Sequence, residues 1–202
     1  MNNDERLRRK ALHLSYLTVG YNVVEGLVSV GVGTLSGSIA LVGFGLDSFV
    51  ESFSGGVMIW RFGKGRASSE KAEEQIERRA ARLVALTFFI LAAYILFESI
   101  KKLWYGEVAE PSLLGIAIAV VSIIIMPTLA RAKYRLGKQI GSRSLVADSK
   151  ETLACFVLSI ALLIGLGLNY VAGLWQADPI VGLLICGYLI KEGRETMEHD
   201  ED

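Results

Sequence analysis

Residues 38–51 of the chain read SIALVGFGLDSFVE, an apolar run that contains two carboxylates, Asp47 and Glu51. The run continues to Trp60, which makes it long enough to cross a bilayer, since a spanning helix needs roughly 20 residues. An acidic side chain at membrane depth costs about 2.5 to 3.5 kcal/mol on insertion scales, so such a residue usually has a function. Four residues apart on a helix, the two carboxylates share one face. The stretch therefore predicts a membrane helix with a functional acidic face.

The composition agrees with a protein that lies largely in lipid. Of 202 residues, 52% are hydrophobic and 21% are charged, and the mean hydropathy is +0.44. This is more apolar than an ordinary soluble domain. Twenty-one basic residues balance twenty-one acidic ones, so the chain has no net positive field and we exclude nucleic acid as a partner.

Apolar runs along the chain predict an all-α membrane protein with six transmembrane helices. Four runs cover residues 12–32, 38–60, 83–103 and 113–129. A fifth extends from about 144 to 168, but Asp148, Lys150 and Glu151 lie in its first third, so a hydropathy window would start it after Leu153. The sixth run, 180–190, follows Asp178 and Pro179, which are typical of a helix start.

Basic residues mark the cytoplasmic side of membrane helices. Eighteen of the 21 Lys and Arg residues lie in the N-terminal tail, in the second and fourth connections and after the sixth run. We therefore expect both termini in the cytoplasm of a multi-pass protein of a bacterial-type plasma membrane. The expected parts are a tail (1–11), a six-helix transport domain (12–194) with a helical cytoplasmic connection (61–82), and an acidic tail (195–202).

A second group of metal-ligating side chains lies in the fifth run. Asp148, Glu151 and Cys155 follow one another at spacings of three and four residues and so line one stripe of a helix. Because no basic residue lies within the span of Asp47 and Glu51, we expect a bound cation between the carboxylates. Oxygen and sulfur ligands from two adjacent helices suit a tetrahedral divalent transition metal, with zinc the first candidate.

Two simpler interpretations stay open for these residues. The acids could be neutral and hydrogen-bonded to neighbouring helices. Cys155 could be a small buried apolar residue, as free cysteines commonly are. In the first run, Glu25 and Asn22 are candidate accessory ligands, with Glu25 also a candidate proton carrier or partner in a helix–helix hydrogen bond.

Both acidic stretches resemble the cation diffusion facilitator (cation efflux) family. Residues 38–51 are similar to its second transmembrane helix, where Asp or His is followed after three residues by Asp. Residues 144–155, SLVADSKETLAC, are similar to its fifth helix, where an Ala-Asp pair precedes a His, three residues, Asp motif. Asp178 and Pro179 resemble the start of its sixth helix. The similarity covers about residues 9–194.

This resemblance implies that Asp47, Glu51, Glu151 and Cys155 are the metal ligands, with Asp148 an accessory candidate. Only Asp47 keeps the family residue: Glu51 is a longer acid, Glu151 replaces His, and Cys155 replaces Asp. A site without imidazole leaves iron, manganese, cobalt and cadmium open beside zinc. The family's C-terminal cytoplasmic metal-binding domain is expected to be absent, so that a homodimer would be held by the membrane helices. We expect the two histidines, His13 and His199, to lie at the membrane interface and in a solvated tail.

Three functions can be compared from the sequence. We expect a proton-coupled exporter of a divalent metal, whose partners are the bilayer, the metal and protons, with no resident cofactor. The alternative is a non-transporting membrane subunit or metal sensor derived from the transporter fold. An intramembrane hydrolase is poorly supported, because the sequence has no His-Glu-x-x-His motif and no nucleophile elbow.

Overall fold

Six α-helices make up the part of the chain that this computed structural model describes, residues 3–62 and 70–198. Within those residues no strand occurs, which confirms the predicted all-α, six-helix architecture. The helices are α1 (Asn3–Ser36), α2 (Ile39–Phe62), α3 (Glu70–Tyr105), α4 (Leu113–Ile140), α5 (Arg143–Ala172) and α6 (Ala177–Glu198).

Several helices extend beyond the apolar runs that predict them. α4 continues eleven residues past the predicted end at 129, so most of the expected fourth connection is helical. α5 starts at Arg143 and includes the charged residues that a hydropathy window would remove. α3 starts at Glu70, in agreement with a helical connection, while residues 63–69 lie outside the described part. α6 extends to Glu198, and the remaining residues of the acidic tail, 199–202, which include His199, lie outside the described part of the chain.

Serine and glycine residues define the tight connection between α4 and α5. Gly141 ends α4 with a φ of 67°, a left-handed conformation that glycine adopts without steric cost. Ser142 then caps α5, because its hydroxyl accepts a hydrogen bond from the Leu145 N–H at 3.3 Å. With only Gly141 and Ser142 between them, α4 and α5 run antiparallel and side by side.

Packing places α2 and α5 at the centre of the bundle. The closest pairs are α1 with α2, α4 with α5, and α3 with α6. α2 also packs against α3, α5 and α6, and α5 also packs against α6. Fully buried side chains from five of the helices fill the space between them: Phe44, Ile95, Met126, Leu162 and Ile185. Side chains that point inward from α2 and α5 therefore meet in the interior.

The distribution of polar and apolar side chains is that of a protein solvated by lipid. Large apolar side chains are exposed along the helices, among them Leu27 (61%), Ile90 (62%), Ile124 (65%) and Leu184 (58%). Several charged side chains in the interior of the same bundle are buried, among them Asp47, Glu51, Lys133 and Asp148. By length and hydropathy alone, α4 and residues Leu145–Ala172 of α5 qualify as membrane-spanning among the described residues.

Candidate cation site

A small cavity lies where α2 and α5 meet. Its volume is about 10 Å³, room for about one water molecule or ion. Asp47 and Glu51 face it from α2, and Glu151 faces it from α5. Four further residues complete its lining: Val50, Ser54, Phe88 and Tyr188. The structure thus brings three of the four predicted ligands to one cavity.

The two carboxylate oxygens of Glu51 have different surroundings. Its Oε1 accepts a hydrogen bond of 2.5 Å from the Thr152 hydroxyl and lies 3.8 Å from the Lys133 ammonium. Its Oε2 is buried and has no hydrogen-bond partner within the described part of the chain. A buried carboxylate oxygen without a partner costs free energy, so this atom is available to a ligand.

Asp47 and Glu151 present further carboxylate groups to the cavity. Asp47 is 5% exposed, and Glu151 is partly buried, although its Oε2 is inaccessible to solvent. That oxygen also has no hydrogen-bond partner among residues 3–62 and 70–198. Two unpartnered oxygens, one from each central helix, therefore border the same small space.

Cys155 lies beside this cavity rather than on its lining. It is 1% exposed and belongs to the apolar core, as the simpler interpretation of a buried cysteine requires. Because Cys155 is not among the residues that line the cavity, its binding to a cation there would require side chains to rearrange.

Lys133 brings a basic group to the acids, although none lies within the span that carries Asp47 and Glu51. It comes from the part of α4 that the sequence analysis assigned to a cytoplasmic connection, and its side chain is completely buried. Its Nζ forms a 2.9 Å ion pair with Asp148 and donates a 2.7 Å hydrogen bond to the Thr152 hydroxyl. The cluster thus contains a cation supplied by the protein.

The candidate accessory residues have different environments. Asp148 is 2% exposed and is held by Lys133 and, at 3.4 Å, by the Ser54 hydroxyl. Glu25 is hydrogen-bonded to the Tyr21 hydroxyl at 2.8 Å and to Ser48 at 3.0 Å, so it takes part in the predicted helix–helix hydrogen bond. Asn22 is completely buried, and neither amide atom has a partner among the described residues.

In the described part of the chain, no three His, Cys, Asp or Glu side chains are close enough together to hold a metal ion as they stand. The candidate ligands are neighbours, but Glu51 and Asp148 are turned toward Lys133 and Thr152. Binding a metal through several of them therefore requires side chains to rearrange.

Some residues of the site were not identified from the sequence. Lys133, Thr152, Ser54 and Tyr188 all contact the acids or line the cavity. The sequence does contain a signal for Lys133. The residues on the buried face of α4 follow one another at spacings of mostly three or four residues, and Lys133 fits this spacing. That face comprises Ser122, Met126, Leu129, Ala130, Lys133 and Gly137.

Comparison with known proteins gives a consistent family match. The family described as the cation efflux transmembrane domain matches residues 15–198. Transmembrane protein 163 of Xenopus laevis is 24% identical over 90% of this chain and 64% of its own length. An uncharacterized transporter of Methanocaldococcus jannaschii is 25% identical over 87% of the chain and 63% of its own length. The magnetosome protein MamB of Magnetospira sp. (strain QH-2) is 27% identical over 84% and 59%.

The chain thus spans about three fifths of the length of these curated relatives. The matched part includes all six helices except the first residues of α1. The similarity therefore concerns the membrane-spanning bundle.

Proposed function

The chain belongs to the cation efflux family, an integral multi-pass membrane family, and from this premise we propose that it moves a divalent transition-metal cation across the membrane. Zinc is the first candidate, and iron, manganese, cobalt and cadmium are the others, because the candidate ligands are carboxylates and one thiol without imidazole. One relative carries the name of an uncharacterized transporter, which supports the same function.

The observation that supports the proposal most is the pair of unpartnered carboxylate oxygens beside the cavity. Glu51 Oε2 and Glu151 Oε2 come from the two central helices, and Asp47 lines the same cavity. A divalent cation would satisfy both oxygens and neutralise the excess of negative charge. In this proposal the three carboxylates bind the transported cation, and Cys155 joins them as a softer ligand after a change of side-chain rotamer.

Coupling to protons follows from the chemistry of these ligands. A carboxylic acid or thiol must lose its proton before it binds a metal, so metal entry releases protons and protons entering from the other side favour metal release. Movement of one helix group against another about a central site would expose the cation to the two sides in turn. We therefore propose exchange of the metal for protons, with export from the cytoplasm as the direction.

Metal flux in proteoliposomes tests this function directly. Vesicles containing the purified chain, a metal-sensitive dye and a pH-sensitive dye would be given zinc, iron(II), manganese, cobalt and cadmium in turn across a pH gradient. We expect entry of at least one metal with simultaneous proton movement in the opposite direction. If folded protein gives no flux with any of the five metals, the proposed transport of a divalent transition metal by this chain is wrong.

The first prediction concerns Asp47, which lines the cavity and is almost completely buried. Asp47→Asn keeps the shape of the side chain but removes the negative charge, so we expect metal-driven proton flux to fall to the level of protein-free vesicles. Glu107→Gln is the matched control, because Glu107 is an exposed acid in the connection between α3 and α4. Flux that persists in Asp47→Asn would contradict a role for this carboxylate in transport.

A second function is favoured by the buried Lys133. Its ion pair with Asp148 partly neutralises the acid cluster without any metal, as would suit a non-transporting subunit or sensor. This alternative predicts no flux from the isolated chain, together with a stoichiometric protein partner that co-purifies with it.

A further inference from the structure

Lys133 is the one feature of the acid cluster that a metal-binding role does not explain. Its ammonium group has no lone pair and so cannot ligate a metal. A completely buried lysine is costly unless it is paired, and here Asp148 pairs with it at 2.9 Å while Thr152 accepts its hydrogen bond. Glu51 lies further away, at 3.8 Å.

We infer that Lys133 is a tethered counter-cation that lowers the affinity of the site for the transported metal. This inference rests on the proposed function and adds to it the residue that sets affinity. In the metal-free protein, the ammonium group compensates Asp148 and part of the charge of Glu51. A divalent cation that binds Glu51 is repelled by Lys133 and takes over its electrostatic role toward Glu51.

The geometry allows this exchange without leaving Lys133 unpaired. The lysine keeps its shorter contacts with Asp148 and Thr152 when Glu51 turns away, because those contacts do not depend on Glu51. Thr152 connects the two groups, since its hydroxyl accepts a hydrogen bond from Lys133 and donates one to Glu51. Rotation of Glu51 toward the cavity breaks only the contacts on its own Oε1.

Such a counter-cation has a use in a transporter. A site that binds its cation too tightly releases it slowly, and a nearby fixed positive charge weakens binding without removing a ligand. It also accounts for the finding that, in the described part of the chain, no three candidate ligands are assembled for a metal. Glu51 and Asp148 are instead directed at Lys133.

Metal-binding affinity of the purified full chain in detergent tests the inference. We expect Lys133→Met to bind zinc about tenfold more tightly than the unmodified protein in calorimetric titration at constant pH. Lys133→Arg keeps the charge and should bind with nearly unchanged affinity. Lys102→Met is the matched control: Lys102 is also buried, but it donates a hydrogen bond to the Gly37 carbonyl between α1 and α2, so its loss should leave zinc affinity unchanged.

Asp148→Asn should have the opposite effect. Without its closest anion, Lys133 is left to pair with Glu51, and we expect zinc binding to weaken about tenfold. Adding Lys133→Met to Asp148→Asn should restore the lost affinity. Asp148→Asn and the double variant both lack the Asp148 charge, so the difference between their zinc affinities reports the effect of Lys133 alone. This comparison also tests the inference if Lys133→Met by itself fails to fold.

The outcomes separate this inference from the proposed function. If the unmodified protein binds none of zinc, manganese, iron(II), cobalt or cadmium, the proposed function fails. If the unmodified protein binds zinc but removal of Lys133 weakens binding or leaves it unchanged, in both the single and the double comparison, the counter-cation assignment is wrong. Tighter binding with Lys133→Met and unchanged binding with Lys133→Arg support it.

Discussion

Asp178 illustrates how one side chain joins two elements of the bundle. It is the second residue of α6 and is completely buried. Its carboxylate accepts hydrogen bonds from the Ser38 hydroxyl and, at 3.0 Å, from the Ile39 N–H at the start of α2. An anion at a helix N-terminus satisfies otherwise unpaired N–H groups and interacts favourably with the helix dipole. Asp178 thus caps α2 from another helix.

We predict that Asp178→Ala lowers the free energy of unfolding by about 1 to 3 kcal/mol, because the Ser38 hydroxyl and the Ile39 N–H lose a buried acceptor. The midpoint of thermal unfolding in detergent measures the change. Glu195→Ala is a suitable control, since the ion pair of Glu195 with Lys191, at 3.4 Å, is exposed and its loss should change the midpoint little. Equal midpoints for the two variants would show that the cap does not contribute to stability.

Residue spacing predicted part of the site but not its electrostatics. The four-residue interval between Asp47 and Glu51 indicates a shared helix face, and both residues line the cavity with Glu151. Lys133 could not be assigned in the same way, because a lysine close to the end of an apolar run is ordinarily taken as a cytoplasmic charge. Its burial depends on α4 continuing beside α5, where Asp148 compensates the charge. The spacing of α4 indicates that Lys133 lies on the buried face, but its pairing with Asp148 is a tertiary contact that the pattern of neither helix specifies.

At the scale of helices, α1 and α2 approach each other through glycine. A Cβ atom added to Gly45 would lie 2.9 Å from the Val30 backbone nitrogen and 2.8 Å from Ser29 Cβ. Likewise, a Cβ added to Gly33 would lie 2.8 Å from the Val42 nitrogen. Small residues permit this close contact of backbones, which is a main source of helix association in membranes. This packing fixes the position of α2, and so of its acidic residues, relative to α1.

We predict that Gly45→Ala destabilises the protein by about 1 to 3 kcal/mol, because the added methyl group overlaps the backbone of α1 and the helices must separate. Gly31→Ala on α1 is the matched control: nothing lies within 4 Å of an added Cβ there. Alanine is preferred over glycine in a helix interior by about 1 kcal/mol, so this control should be neutral or stabilising. Thermal unfolding of both variants measures the difference, and a Gly45→Ala protein as stable as Gly31→Ala would contradict close α1–α2 packing.

Hydropathy predicted the positions of the helices better than it predicted their ends. Apolar runs located all six helices, since the lipid-facing sides are continuous strips of large apolar residues. They gave the end of α4 poorly, and a hydropathy window would place the start of α5 too late, because charged residues compensate one another between these helices: Lys133 with Asp148. A hydropathy profile is calculated along one segment, so it assigns to each charged residue the full free-energy cost of placing an unpaired charge in lipid. Pairing across helices removes much of that cost, and the helices continue.

At the scale of the whole molecule, the arrangement of the helices places the acids of α2 and α5 at the centre. The family resemblance implied this, but no single-sequence pattern specifies that α3 pairs with α6 and α1 with α2. The orientation of the bundle in the membrane is instead inferred from the sequence alone. The Lys and Arg residues concentrate at the ends of helices that share one side of the bundle, which predicts cytoplasmic termini.

Cysteine labelling in intact cells tests this orientation. Val108 in the connection between α3 and α4, and Gln139 near the end of α4, are both exposed and lie at opposite ends of α4. We expect a membrane-impermeant thiol reagent to label Val108→Cys in intact cells, and to label Gln139→Cys only after the cells are permeabilised. The native Cys155 and Cys186 are buried, so the unmodified chain should give little background. The reverse labelling pattern would place the termini outside, and the candidate site would then receive its cation from the opposite side of the membrane.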